Sequence, residues 1–175
     1  SEFRYEDPVV DEEDLVIFIT QSGETADTLA ALREAKKKKA LTLAVVNVVG
    51  STIAREADFV IYTHAGPEIG VASTKAYLAQ LVAIALFSIY LGSMHPLRRK
   101  DFTRQKIQLL LKLLSKLPHQ ITEVLKQKKE IARCANDLYR KKNFLYLGRG
   151  YNFPNALEGA LKLKEITYAH AHGYP

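Results

Sequence analysis

Leu15 to Ile19 is an unbroken apolar run of strand length that stops at Thr20-Gln21-Ser22-Gly23-Glu24-Thr25. A helical spacing of Leu29, Leu32 and Ala35 follows and ends in four lysines, Lys36 to Lys39. A short run without polar alternation fits a strand covered on both faces of its sheet. A helix after each strand brings the next strand back parallel to the first. The unit then recurs: Leu41 to Val46 reads as a second strand, Asn47 to Ser51 as a turn, Thr52 to Glu56 as a short helical turn and Asp58 to Tyr62 as a third strand. A glycine-containing loop, Thr63 to Ala72, leads into an apolar helix after Ser73. These features place the chain in the α/β class with a parallel sheet, and its first domain is expected over residues 1–92.

Gly92, Pro96 and the charged stretch Arg98 to Asp101 break this pattern. Leu109 to Leu111, Leu113-Leu114, Ile121, Leu125, Ile131 and Leu138 then fit amphipathic helices interrupted near Pro118, a helical connector over residues 93–142. Asn143 to Leu147 starts a new strand and Gly148-Arg149-Gly150 turns the chain. Pro154 opens a helix expected to run to about His170. A second α/β domain is thus expected over residues 143–175, with one strand and one helix present. No strand precedes Leu15, so both sheets are expected to be incomplete, as in a fragment of a longer protein.

A hydrophobic content of 47% over 175 residues is enough for a real core. Cys134 is the only cysteine, which excludes an intrachain disulfide and suits a reducing, cytoplasmic location. It sits in a helical-looking stretch without a nearby His, which favours a packing role over a nucleophilic one. The N-terminus carries no basic-then-apolar leader. The longest apolar run, Ala76 to Gly92, falls short of the ~20 residues of a membrane span. It is expected to be a buried helix packed on several sides, with no membrane partner. The net charge of +6 comes from short basic runs such as Lys36 to Lys39 and Arg140 to Lys142 at helix ends. They lack the interleaved aromatics of base stacking, so no nucleic-acid partner is expected.

Thr20 to Thr25 places three hydroxyls, an amide and several backbone N–H groups where a strand ends and a helix begins. That arrangement suits a phosphate monoester, and it equally suits a Ser22 or Thr25 serving only as the helix N-cap. Glu24 and Asp27 are acidic and must point away from such a ligand, while no Lys or Arg lies nearby in sequence. The segment also lacks the Gly-Lys-Ser/Thr of a P-loop, so the chemistry should lie elsewhere on the substrate. On the last helix Glu158, Lys162 and Glu165 fall at i, i+4 and i+7 on one face. They form either a salt-bridge stripe or a proton shuttle with a charge partner. His170 and His172 share the i, i+2 spacing of a strand metal site, but no ligand cluster accompanies them, so no metal and no cofactor is assigned.

Four segments together, Ser1 to Tyr5, Gln21 to Thr28, Glu68 to Ala76 and Leu157 to Ile166, resemble the glutamine–fructose-6-phosphate aminotransferase (glucosamine-6-phosphate synthase) family. The resemblance covers Ser1 to Pro175 and the middle of that family's isomerase half, which contains two sugar-isomerase (SIS) domains of flavodoxin-like three-layer form. It implies conversion of fructose 6-phosphate to glucosamine 6-phosphate with ammonia from a glutaminase domain of the parent chain. It implies a homodimer as well. Thr20, Gln21, Ser22 and Thr25 match the family's phosphate loop, Thr20 standing where a Ser is common. Val71 and Ser73 match the loop that contacts the sugar. Glu165 matches the carboxylate that moves the proton between C1 and C2, and Lys162 its neighbouring lysine. His172 stands where an acidic residue is expected. The family's Schiff-base lysine and ring-opening histidine have no counterpart within these residues, so the segment alone is expected to bind sugar phosphate at most. Competing readings are another SIS enzyme, such as a fructosamine deglycase or aldose-ketose isomerase, or a non-catalytic sugar-phosphate sensor.

Overall fold

The computed structural model describes residues 2–70, 72–95 and 101–175. The expected break at Pro96 and Arg98 to Lys100, and the sugar contact assigned to Val71, lie outside the described residues. The chain forms two compact units, Ser1–Leu111 and Lys112–Pro175.

In the first unit a short helix α1 (Glu2–Tyr5) precedes strand β1 (Leu15–Thr20), helix α2 (Ala26–Lys37), strand β2 (Leu41–Val46), helix α3 (Thr52–Glu56), strand β3 (Phe59–Tyr62) and helix α4 (Lys75–Met94). The strands form one parallel sheet in the order β1-β2-β3, with Leu15 opposite Leu41 and Leu43 opposite Phe59. The core lies between one sheet face and α2 with α3: Phe18, Ala44 and Val46 from the strands meet Leu29, Leu32, Ala35 and Ile53. Leu29, Leu32 and Ala35 recur at helical spacing, so α2 turns one apolar stripe onto the sheet.

The opposite face departs from the expectation of a sheet covered on both sides. Leu15, Ile17 and Ile19 of β1 and Phe59 of β3 are exposed, so β1 alternates between a covered and an open face. An apolar groove of about 770 Å³ separates this face from α4, with Leu41, Leu43 and Ile61 on the sheet and Val82, Leu86 and Tyr90 on the helix among its lining residues. The expectation that α4 is buried on several sides is likewise corrected. Only Ala76 is buried, and Leu78, Leu81, Leu86, Tyr90 and Leu91 are exposed. Its apolar residues are spread around the whole circumference, so the one side that faces the groove cannot cover the rest. By length and composition alone α4 is able to cross a membrane.

Helix α5 (Arg104–Leu114) crosses from the first unit into the second, where α6 (Leu117–Lys126) and α7 (Lys128–Leu138) follow. Each is amphipathic, with no buried residue, and Pro118 sits at the start of α6 where proline is tolerated. Strand β4 (Asn143–Leu147), helix α8 (Phe153–Thr167) and strand β5 (His170–Tyr174) complete the unit as a parallel β-α-β arrangement. Strand β5 corrects the expected helix end. Tyr168 adopts a left-handed conformation at φ 58°, which ends α8 and turns the chain into β5. His170 therefore pairs with Asn143, and the unit holds two strands rather than one.

A part-buried polar pair fastens β2 to the start of β3. The fully buried Thr42 donates its hydroxyl (2.7 Å) and its amide (2.9 Å) to the Asp58 carboxylate, and the Asp58 amide donates back to the hydroxyl (3.0 Å). Lys36 of α2 adds an ammonium at 2.9 Å. The hydroxyl of Thr42, then Lys36, hold the Asp58 carboxyl below its usual 3.8. A group with a depressed folded-state pKa stabilises fully above the unfolded value and loses that contribution as pH falls through the folded one. Thr42→Val is expected to lower the unfolding free energy by about 1–3 kcal/mol. Urea titration of Asp58→Asn against the parent should show a gap that is full above pH 4 and closes on acidification.

Candidate functional site

In a parallel α/β sheet, loops leaving the carboxyl ends of neighbouring strands lie side by side and form the ligand crevice. Here these are the loops after Thr20, after Val46 and after Tyr62. The first contains four of the expected site residues, Thr20, Gln21, Ser22 and Thr25. The Gly23 amide donates to the buried Thr20 hydroxyl at 3.2 Å, and the Glu24 amide donates to the Ser22 hydroxyl at 3.2 Å. Each hydroxyl thus spends an acceptor site within the loop and keeps its own O–H for a further acceptor.

Thr25 stands at the N-cap of α2, yet its side chain makes no capping hydrogen bond. Its hydroxyl is thus not directed to the first-turn N–H groups, as that of a side-chain cap would be. The Thr25 carbonyl accepts from Leu29 at 3.0 Å, so the chain enters the helix in proper register while the hydroxyl does no capping. The positive end of a twelve-residue helix dipole lies at this point.

The loop is held from behind by the loop between β2 and α3. Gly23 has φ +70°, and a Cβ added there would lie 2.2 Å from Ser51 Oγ and 2.8 Å from Ile53 Cγ2. Its carbonyl accepts from the Ile53 amide at 3.1 Å, and the Gln21 carbonyl accepts from the Asn47 amide at 3.2 Å. Glu24 is directed toward α3 and accepts from the Thr52 amide at 2.7 Å. This bond holds the Glu24 carboxyl below the usual carboxylate range. Ser51 is 3% exposed and its hydroxyl has no hydrogen-bond partner among the described residues.

Sequence proximity had shown no cation near Glu24, but folding brings one. Arg55 of α3 contributes to the lowered Glu24 pKa, and its guanidinium donates to the Gly50 carbonyl and, at 2.9 Å, to the Thr52 hydroxyl. Asn47, Ser51, Thr52 and Arg55 all escaped the sequence reading. The available signal was their place after the second strand, beside the Thr20–Thr25 loop wherever the second strand pairs with the first.

Asn47 also organises the third loop. Its side-chain carbonyl accepts from the Thr63 hydroxyl (3.0 Å) and the Ala65 amide (2.8 Å), and its amide group donates to Gly66 (2.8 Å). Further along, Glu68 accepts from the amides of Thr74 (3.3 Å) and Ala76 (3.0 Å) at the start of α4. Between them Ser73 is half-buried, has φ 37° and donates its amide to Gly70 at 3.3 Å.

In the second unit α8 presents Glu158, Lys162 and Glu165 along one face. Lys162 Nζ lies 2.8 Å from Glu158 and 3.5 Å from Glu165. Burial works to lower the Lys162 pKa, but bonding and attraction from Glu158, then Glu165, outweigh it and raise the value. Both carboxylates thus favour the ammonium form of Lys162. Thr20, Gln21, Ser22 and Thr25 thus lie together in the first unit, and Lys162 and Glu165 lie together in the second.

A protein-family model, described as SIS domain, matches residues 1–90. The chain belongs to the SIS-domain family. Over its full length it is 53% identical to a glutamine–fructose-6-phosphate aminotransferase [isomerizing] of Chlorobaculum tepidum. It is 51% identical to one of Thermus thermophilus, again over all 175 residues. The chain spans 28% of the length of each of these curated relatives. Among solved structures, it is similar to the C-terminal domain of glucosamine-fructose-6-phosphate aminotransferase from Francisella tularensis, at TM-score 0.92 and 42% identity. That match covers 99% of this chain and 48% of the other. A glucosamine-6-phosphate deaminase from Thermotoga maritima shares the fold at TM-score 0.63 and 22% identity, over 99% of this SIS chain and 49% of the other.

Gly23→Ala is the direct test of the loop's backing. The added methyl meets Ser51 and Ile53, and φ +70° disfavours any L side chain. A loss of about 2 kcal/mol or more in urea unfolding, together with loss of phosphate binding by calorimetry, is expected.

Proposed function

We propose that this chain is a segment of the isomerase half of a glutamine–fructose-6-phosphate aminotransferase, whose parent protein makes glucosamine 6-phosphate from fructose 6-phosphate and glutamine-derived ammonia. The observation that carries this reading is the loop at the start of α2, where the hydroxyls of Thr20, Ser22 and Thr25 gather at the positive end of the helix. Similarity along the entire chain to aminotransferases of that name supports it. The first SIS domain occupies residues 1–92, a helical connector 93–142 and the start of a second SIS domain 143–175. A cytoplasmic, homodimeric parent with a glutaminase domain completes the reading.

In this mechanism Thr20, Gln21, Ser22 and Thr25 hold the phosphate through hydroxyl, amide and backbone donors, and Val71 and Ser73 contact the sugar. A neutral cradle anchors the phosphate without activating it. Glu165 then transfers the proton between C1 and C2 of the open-chain sugar. Lys162, kept as an ammonium, supplies positive charge beside Glu165 and the oxygen on which charge develops. The carboxylate moves the proton and the lysine stays charged throughout.

In the complete parent protein, Thr25→Ala is expected to weaken fructose 6-phosphate binding by about tenfold in a calorimetric titration, for loss of one charge-assisted hydrogen bond. Unchanged affinity removes Thr25 from the site. Glu165→Gln should lower kcat by roughly 100-fold or more with KM little changed, and a kcat near that of the parent excludes Glu165 as the proton carrier.

A further inference from the structure

We infer that Glu24 is a positioning residue for the sugar-phosphate loop: its carboxylate clamps the Thr52 amide of α3 and thereby fixes the phosphate-binding groups in the geometry the anion needs. The inference rests on the reading of Thr20 to Thr25 as a phosphate site, and it assigns a function to the one residue of that loop whose charge opposes such a ligand.

Three bonds tie this loop to its neighbour, and they differ in kind. Those from Gln21 to Asn47 and from Gly23 to Ile53 run between backbone groups, so any sequence that keeps the fold keeps them. The third, from Glu24 Oε1 to the Thr52 amide at 2.7 Å, is the shortest and depends on a side chain. It joins the residue immediately before Thr25 to the first residue of α3, which packs into the core through the fully buried Ile53. The loop is thus referenced to a rigid part of the domain at the point where it delivers the Thr25 hydroxyl. Arg55, on the same short helix, braces the other side of this contact by donating to the Gly50 carbonyl and the Thr52 hydroxyl. Glu24 itself touches no ligand.

The sign of the effect separates this role from simple electrostatics. A carboxylate in a phosphate loop repels the anion, so removing it should tighten binding by Coulomb's law. If the clamp matters, removing it loosens the loop and weakens binding instead. Thr52 offers a second way to break the same bond. It occupies the first helical position of α3, where proline is tolerated, and Ser51 before it is extended at ψ 163°, as a residue preceding proline prefers. Thr52→Pro removes the donor while leaving Glu24 in place.

The experiment measures fructose 6-phosphate binding and turnover in the complete parent protein carrying Glu24→Ala, Glu24→Gln, Thr52→Pro and the Glu24→Ala/Thr52→Pro pair, with Thr25→Ala as reference. Expected are about tenfold increases in Kd and KM for Glu24→Ala and Thr52→Pro with kcat within about twofold. The double variant should be no weaker than either single one, and Glu24→Gln, which keeps a carbonyl acceptor, should stay within about threefold of the parent. Tighter or unchanged binding in Glu24→Ala, or additive losses in the double variant, overturns the clamp while a weakened Thr25→Ala leaves the phosphate site standing. If Thr25→Ala also binds as the parent does, the phosphate reading fails and the clamp with it.

Discussion

The close approach of the Gly23 backbone to Ser51 and Ile53 is the constraint on which the site depends. Only a residue without a side chain fits there, and only in a left-handed conformation. Once that contact is made, the Gly23 carbonyl meets the Ile53 amide, Gln21 meets Asn47 and Glu24 meets Thr52. Two strand-end loops that are distant in sequence become one surface. The curvature of the Thr20–Thr25 loop is thus set from behind by hydrogen bonds.

The two units differ in the groups they present. The first gathers neutral hydroxyl and backbone groups at the start of a helix, a setting that suits an anion. The second places a lysine between two carboxylates, Glu158 and Glu165, which favour its ammonium form.

Most of the architecture was legible because apolar runs and turn residues fall at spacings that only strand and helix periods explain. All three strands of the first unit and β4 lie within a residue or so of where Leu15, Leu41, Asp58 and Asn143 placed them. The failures have a common cause, the absence of tertiary information in a local pattern. A run such as Leu15 to Ile19 looks the same whether its second face is covered or open, and α4 looks the same whether one side or several are packed. Strand β5 was hidden because His170, Ala171, His172 and Gly173 carry no apolar run. Its strand character comes from pairing with β4, not from propensity. In the site, Thr20, Ser22 and Thr25 were readable as donors. Thr52 and Arg55 were not, since their proximity to Glu24 arises only when β2 aligns beside β1.

The left-handed Tyr168 has a consequence for how the second unit tolerates change. Only Tyr168 and Ala169 separate the end of α8 from β5, so that connection has no slack. In β5, Ala171 and Gly173 face inward while His170 and His172 face out. Gly173 lies so close to Leu157 that a Cβ would sit 2.9 Å from its backbone nitrogen. Since side chains alternate strictly along a strand, a one-residue insertion at this joint would exchange the two sets and drive imidazoles against α8. This joint is therefore a place where evolution can substitute side chains but cannot readily change chain length, in contrast to most surface connections.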